Sequence, residues 1–278
     1  VPAHVDVEVA PMSARASELP APEAVLAERG EARTPAVFLD YDGVLTPIVD
    51  NPSDAVMGPE MRRIVSELAQ RASVCVVSGR DRGVVTELMG LDDLIVAGSH
   101  GFDIYDPRHG VITHDASSGF EELVEKVTAE VSEQAAGIDG TLVEPKHASV
   151  ALHYRAVDPS RHAEVQDLVD GVLAAHPGEL RVTPGKFVHE IQPKIDWNKG
   201  RAVEHLLGVL DLRGPGYLPV YLGDDVTDED AFRAPSIADG GLGVLVIDPS
   251  DATARETAAS AVIPDVDGVA RFLDALGR

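Results

Sequence analysis

Short apolar runs alternate with amphipathic stretches from residue 36 onward, and this rhythm constrains the fold more than any other feature. "AVFLD" (36–40), "SVCVVSG" (73–79) and "LIVAGS" (94–99) are strand-length and almost continuously apolar, as expected of strands buried on both faces. Between them, "GPEMRRIVSELAQR" (58–71) and "RDRGVVTELMG" (80–90) space their apolar residues for a helix, the first with proline in its opening turn. Strand, helix, strand, helix, strand demands crossover connections and a parallel sheet.

The rhythm changes after "GSHG" (98–101). Residues 117–136 read as a long helix, followed by "TLVEP" and "ASVALHYR" as paired strands. A second helix (159–175) and the strands "LRVTP" and "KFVHEIQP" around Gly185 repeat that αββ order. The first rhythm then resumes with "NKGRAVEHLLGVL" (198–210), "LPVYLGD", "DEDAFRA", "GVLVI" and a closing helix in "VDGVARFLDAL". The expected architecture is α/β: a doubly wound, Rossmann-like parallel sheet with an inserted α+β cap of two αββ units. The core spans 35–108 and 190–278, and the cap spans 109–189. Residues 1–34 read as a flexible tail with a short helix at Glu23–Arg29.

The chain is long enough, at 278 residues, for a core and an inserted domain. Its net charge of −24 argues against nucleic acid or an anionic membrane as partner. No apolar stretch reaches the about 20 residues that cross a bilayer. The first thirty residues lack a basic segment leading into an apolar one, so a cytoplasmic location is expected. The single cysteine, Cys75, sits in a strand-like run and reads as a small buried apolar residue. Lysines occur only at 126, 146, 186, 194 and 199, which gathers positive charge between 146 and 199. An acidic protein that handles an anion needs such a local concentration.

In doubly wound sheets, ligands gather outside the carboxyl ends of the strands. Four marked stretches follow predicted strands: Asp40-Tyr41-Asp42-Gly43, Ser78-Gly79-Arg80, Gly98-Ser99-His100-Gly101 and Gly223-Asp224-Asp225. Two acids at the end of a buried strand repel each other and need a positive partner. A hard cation such as Mg²⁺ takes oxygen ligands, and Asp40, Asp224 and the backbone carbonyl of Asp42 offer a partial shell, with Asp225 and Asp228 placed to hold waters. A carboxylate beside such a cation suits phosphoryl transfer. Asp40 is the expected nucleophile, and Asp42 the acid and base that protonates the leaving oxygen and later activates water. Ser78 and the amides after Gly79 would hold phosphate oxygens. Lys199, opening a helix after Asn198, would supply a point charge to the phosphate and to Asp40.

D-x-D-G, S-G-R, K-G and G-D-D-x-x-D, in this order, resemble the haloacid-dehalogenase superfamily of phosphatases, in the type with a large α/β cap. "LDYDGVLTPIVDNP", "VVSGR", "AGSHGFDI", "VEPKHASVALHYR", "VHEIQPKIDWNKG" and "YLGDDVTDEDAF" together resemble the trehalose-6-phosphate phosphatases over residues 35 to 235. The resemblance implies Mg²⁺-dependent hydrolysis of trehalose 6-phosphate to trehalose and phosphate through an aspartyl-phosphate on Asp40. It implies Mg²⁺ at Asp40, Asp42 and Asp224, and phosphate at Ser78 and Lys199. It also implies substrate contacts from Gly79, Arg80, His100 and Gly101 in the core, and from Lys146, Arg155, Lys186 and Glu190 in the cap. Two positions depart from the family pattern: Val44 stands where Thr is usual, and Asn198 where Asp is usual. A rival reading is a phosphatase of another sugar phosphate, of sucrose-phosphate or phosphoglyceryl-hexose type. Another is a non-catalytic module regulating a trehalose-6-phosphate synthase partner, against which stand the intact acids Asp40, Asp42 and Asp224. A response-regulator receiver ranks low, because its aspartate does not head a D-x-D and it has no inserted cap.

Overall fold

A computed structural model describes residues 13–29, 33–114, 120–185 and 187–277. The chain runs β1 (Ala14–Arg15), α1 (Pro22–Arg29), β2 (Thr34–Leu39), α2 (Pro59–Ala69), β3 (Ser73–Val77), α3 (Arg82–Met89), β4 (Ile95–Gly98), β5 (Asp103–Asp106) and β6 (Gly110–Ile112). The cap follows as α4 (Glu121–Ala135), β7 (Leu142–Pro145), β8 (Val150–His153), α5 (His162–Ala175), β9 (Leu180–Gly185) and β10 (Val188–Pro193). The chain then returns through α6 (Lys199–Val209), β11 (Tyr217–Gly223), α7 (Glu229–Phe232), α8 (Pro235–Ala238), β12 (Leu242–Val246), β13 (Glu256–Thr257), β14 (Ala261–Ile263) and α9 (Val266–Leu276).

The core is an eight-stranded sheet in the order β14-β12-β11-β2-β3-β4-β5-β6, parallel from β14 to β4. From β2 the chain winds outward through β3 and β4, then returns on the other side of β2 through β11 and β12. The winding direction therefore reverses between β2 and β11, and the carboxyl ends of those two strands carry Asp40 and Asp224. Alternation along β2 feeds two cores. Val37 and Leu39 join Met61, Ile64, Leu68 and Phe272 on one face, while Ala36 and Phe38 join Val203, Leu206, Leu207 and Phe232 on the other. Each such fully buried large side chain contributes about 1.5–3 kcal/mol. Cys75 is buried, and burial pushes its thiol up to about 12, consistent with the expected apolar role.

The cap sheet is four-stranded, β7-β8-β10-β9, entirely antiparallel, with α4 and α5 covering one face through Val127, Val131, Val165 and Val169. The two predicted αββ units are present.

Two features lay beyond the local pattern. The antiparallel hairpin β5–β6 extends the core sheet to Ile112, past the expected boundary at 108, and β10 keeps the cap sheet going to Pro193, past 189. Residues 13–29, expected within a flexible tail, lie against the core instead. Ala14–Arg15 pairs with Glu256–Thr257, Ala16 is fully buried, and Val25 and Leu26 of α1 pack on the core. Their partners sit near the far end of the chain, so no local periodicity announces them. Among the described residues, no helix is long and apolar enough to cross a membrane.

Candidate active site

The site begins where β2 ends. The Asp40 amide still donates to Leu222 of β11 at 2.9 Å, so the sheet itself holds the residue at its edge. One carboxylate oxygen, Oδ1, accepts from the Tyr41 amide at 2.7 Å, and the side chain is buried. Gly43 then turns the chain at φ +71°. A Cβ at Gly43 would lie 2.1 Å from Asp224 Oδ2, so only glycine permits both this turn and the approach of the second acid. Val44, the departure from the family pattern, is fully buried in the apolar core.

Asp224 follows β11, and a short turn brings Asp228 back beneath it. Asp228 is fully buried and its carboxylate is taken up on both sides. Oδ1 accepts from Lys199 Nζ at 2.6 Å and from the Tyr221 hydroxyl at 2.6 Å, while Oδ2 accepts from the amides of Asp224 at 3.0 Å and Asp225 at 2.9 Å. Asp228 therefore braces the loop. The Asp225 carboxylate caps the same turn, accepting from the Val226 amide at 2.7 Å, and lies exposed.

Lys199 opens α6 and is buried, donating to Asp40 Oδ2 at 2.7 Å as well as to Asp228. Asn198 caps that helix by accepting from the Arg201 amide at 2.9 Å, a role asparagine and aspartate fill equally, which accounts for the second departure. Gly200 lets the helix close on the Asp230 carbonyl, from which a Cβ would be 2.2 Å away. Tyr221 was not expected in the site. Its alternation within "LPVYLGD" marks it as core, and nothing local shows where its hydroxyl ends.

Charge in this pocket is unbalanced toward acid. Burial raises Asp40 to about 8; Lys199 pulls it back, and Asp228 and Asp224 push it further up. Burial likewise raises Asp224 to about 7, reinforced by Asp228 and Asp225. Burial opposes the charge of Lys199, but Asp40 and Asp228 outweigh it and hold the ammonium above its ordinary value. Oxygens of Asp40, Asp224 and Asp228 lie within 4.8 Å of one another. An all-oxygen donor set with more negative charge than its lysine answers fits a hard divalent cation. Because Asp228 is already saturated with donors, Asp40 and Asp224 are the carboxylates left to ligate.

The neighbouring loops close the site. Ser78 is buried after β3, and its hydroxyl oxygen accepts from the Arg80 amide at 3.2 Å. Arg80, expected to meet substrate, binds Asp42: Nε and Nη2 donate to the two carboxylate oxygens at 2.6 Å each, and Nη1 donates to the Pro52 carbonyl at 2.7 Å. The bidentate pairing follows from the planar guanidinium, which matches a carboxylate two bonds at a time. Ser99, His100 and Gly101 run consecutively at φ 50°, 58° and 92°. Non-glycine residues in that region are costly, and the loop is held by Ser99 N to Arg80 O (2.7 Å), His100 N to Ser78 O (2.8 Å) and Ser99 Oγ to Asp81 (2.9 Å). Gly79 makes room for the His100 ring, and Gly101 for Ala202 of α6, so both glycines serve packing. Burial, aided by Lys199, lowers His100 to about 4 and keeps it neutral at pH 7.

From the cap, Glu190 Oε1 accepts from Ser149 Oγ at 2.7 Å and from Lys146 Nζ at 3.4 Å, and its charge reaches His100 across the gap. Arg155 lies over the Phe187 ring at 5.8 Å. Lys186 lies outside the described residues.

Acids at the switch point of a doubly wound sheet, a lysine between them and an inserted cap define a phosphohydrolase of the haloacid-dehalogenase class. Within that class the chain belongs to the trehalose-phosphatase family, whose model matches residues 38–264. It is 40% identical over 262 residues to a probable trehalose-phosphate phosphatase 2 of Oryza sativa subsp. japonica, covering 87% of this chain and 67% of that protein. It is 38% identical over 276 residues to a trehalose-phosphate phosphatase of Mycobacterium tuberculosis, covering 98% and 69%. The C-terminal domain of the Candida albicans trehalose-6-phosphate phosphatase superposes with a TM-score of 0.70 at 25% identity, covering 93% of this chain and 98% of that one.

Proposed function

We propose that the chain is a Mg²⁺-dependent phosphatase that hydrolyses trehalose 6-phosphate to trehalose and phosphate. Asp40 Oδ2 attacks phosphorus as the bond from phosphorus to the sugar oxygen breaks, and the leaving oxygen takes its proton from Asp42. Water then attacks the phosphorus of the aspartyl-phosphate, giving its proton back to Asp42 and releasing phosphate with Asp40 regenerated. For Asp42 to carry that proton, Arg80 must let go of at least one of its oxygens, and the phosphate dianion is the natural competitor for the guanidinium. Ser78 and Lys199 hold phosphoryl oxygens, and Lys199 keeps Asp40 oriented. Asp40, Asp224 and the backbone carbonyl of Asp42 would hold Mg²⁺, which when bound supplies positive charge to the phosphoryl oxygens. The cap, with Lys146 and Glu190, closes over the sugar and excludes bulk water. The reading places the activity in the cytoplasm, with a small sugar phosphate as partner and a synthase making that ester as the upstream reaction.

The observation that carries this reading is Lys199 buried between Asp40 and Asp228 at 2.7 and 2.6 Å, beside an Asp224 still free to ligate. Phosphate release measured over trehalose 6-phosphate, sucrose 6-phosphate and a phosphoglyceryl hexose tests it. Trehalose 6-phosphate should be cleaved fastest, EDTA should abolish turnover reversibly, and Asp40→Asn should be inactive yet folded. Equal turnover of the rival esters would refute the substrate, and activity in Asp40→Asn would refute the mechanism.

A further inference from the structure

The cap face opposite α4 and α5 carries a polar strip along β9 and β10. In the antiparallel β9–β10 pair, Thr183 stands opposite Glu190 and Arg181 opposite Gln192, so all four side chains share one face. Burial alternates accordingly along β9: Leu180 and Val182 turn into the cap core, while Arg181 and Thr183 are exposed. The Gln192 amide donates to Thr183 Oγ1 at 2.7 Å and is buried, which ties the two rungs together. Arg181 thus sits one rung from Glu190, about 7 Å along the strand, on the scale of one sugar ring.

The strip looks toward the core. The Arg181 charge reaches both His100 and Asp230, and that of Glu190 reaches His100. Arg181 therefore overhangs the same wall of the cleft as Glu190.

Sugar hydroxyls both donate and accept, so a site that orients them needs fixed donors as well as acceptors. Glu190 only accepts, and the nearby Lys146 and Ser149 already spend a donor on it. Arg181 brings a planar set of donors to this face. Its surroundings suit neutral hydroxyls better than phosphate: Asp230 offsets its charge, and the phosphate belongs beside Lys199 and Asp40.

We propose that Arg181 is a specificity-determining residue that donates hydrogen bonds to the sugar hydroxyls of the substrate beside Glu190. This rests on the proposed phosphatase reading. The test compares Arg181→Ala, Arg181→Gln and Arg181→Lys with the parent chain in Mg²⁺, using trehalose 6-phosphate, sucrose 6-phosphate and the sugar-free ester p-nitrophenyl phosphate. For the preferred disaccharide ester, Arg181→Ala and Arg181→Gln should raise KM roughly tenfold, the loss of one charge-assisted hydrogen bond, with kcat little changed. Arg181→Lys should recover part of that loss. Turnover of p-nitrophenyl phosphate should change less than about twofold in every variant, since it presents no sugar to bind. A parallel fall on both classes of ester would overturn the proposal by showing a phosphate-binding or structural role, and so would no change on either. Preference of the parent chain for sucrose 6-phosphate would refute the trehalose reading alone, leaving Arg181 to be judged on that ester. Cleavage of only the sugar-free ester would refute both.

Discussion

Replacing Lys199 with methionine tests the electrostatic reasoning most directly. The ammonium is buried and lies 2.7 Å from Asp40 and 2.6 Å from Asp228, both buried themselves. Methionine keeps the volume but leaves two carboxylates facing each other without their cation. Removing one partner of a buried ionic group costs about 3–5 kcal/mol. In a chain of this size each kcal/mol lowers Tm by about 2–4 °C, so Lys199→Met should melt roughly 6–20 °C lower at pH 7. The deficit should depend on pH in a definite direction. Asp40 is raised to about 8 from 3.8, so the folded state takes up a proton before the unfolded one as pH falls through that window. Lys199 pulls Asp40 down, so in the variant that proton is held to still higher pH, and the deficit relative to the parent should grow as pH rises through about 8. Scanning fluorimetry from pH 5 to 9, with and without Mg²⁺, is the assay, and added Mg²⁺ should restore more stability to the variant than to the parent. A Tm within about 2 °C of the parent, or a deficit independent of pH and Mg²⁺, would refute the argument that these acids depend on a cation.

Gly43→Ala should raise the Mg²⁺ concentration needed for half-maximal turnover, because its Cβ would sit 2.1 Å from Asp224 Oδ2 and displace a proposed ligand. The φ of +71° adds about 1–2 kcal/mol of instability, visible as a lower Tm. His100 titrates at about 4 when folded against 6.5 ordinarily, so its contribution to stability is complete above pH 6.5 and is lost as pH falls toward 4. His100→Gln should flatten that acid limb in a Tm-against-pH series, and an unchanged slope would place the titrating group elsewhere.

Alternation and punctuation are local properties, and they sufficed for most of this chain. The parallel strands through β4, the return through β11 and β12, the two αββ units and the acids at strand ends follow from runs of fewer than twenty residues. Each apolar run can be buried in only one way once its period is known. The same patterns, with the resemblance they support, placed Asp40, Asp42, Ser78, Lys199 and Asp224 at one sheet edge. Val44 and Asn198 were visible as departures, but the core contact of the one and the helix cap of the other were not.

Direction and pairing of side chains were decided only by tertiary structure. Arg80 reads as a substrate contact in "SGR", and nothing local shows that its guanidinium meets Asp42 from a different strand. Asp228 reads as one more acid in "GDDVTDED", yet four donors, one of them Lys199 from another element, saturate it. The docking of residues 13–29, the β5–β6 edge and the alignment of Arg181 with Glu190 belong to the same group. Hydrogen bonds and ion pairs are short-ranged in space but indifferent to sequence separation, so partners far apart along the chain leave no periodic trace in it. The sequence determined which elements form and which chemistry they carry to the sheet edge; the fold determined which acid is free to ligate, which is braced, and which is clamped.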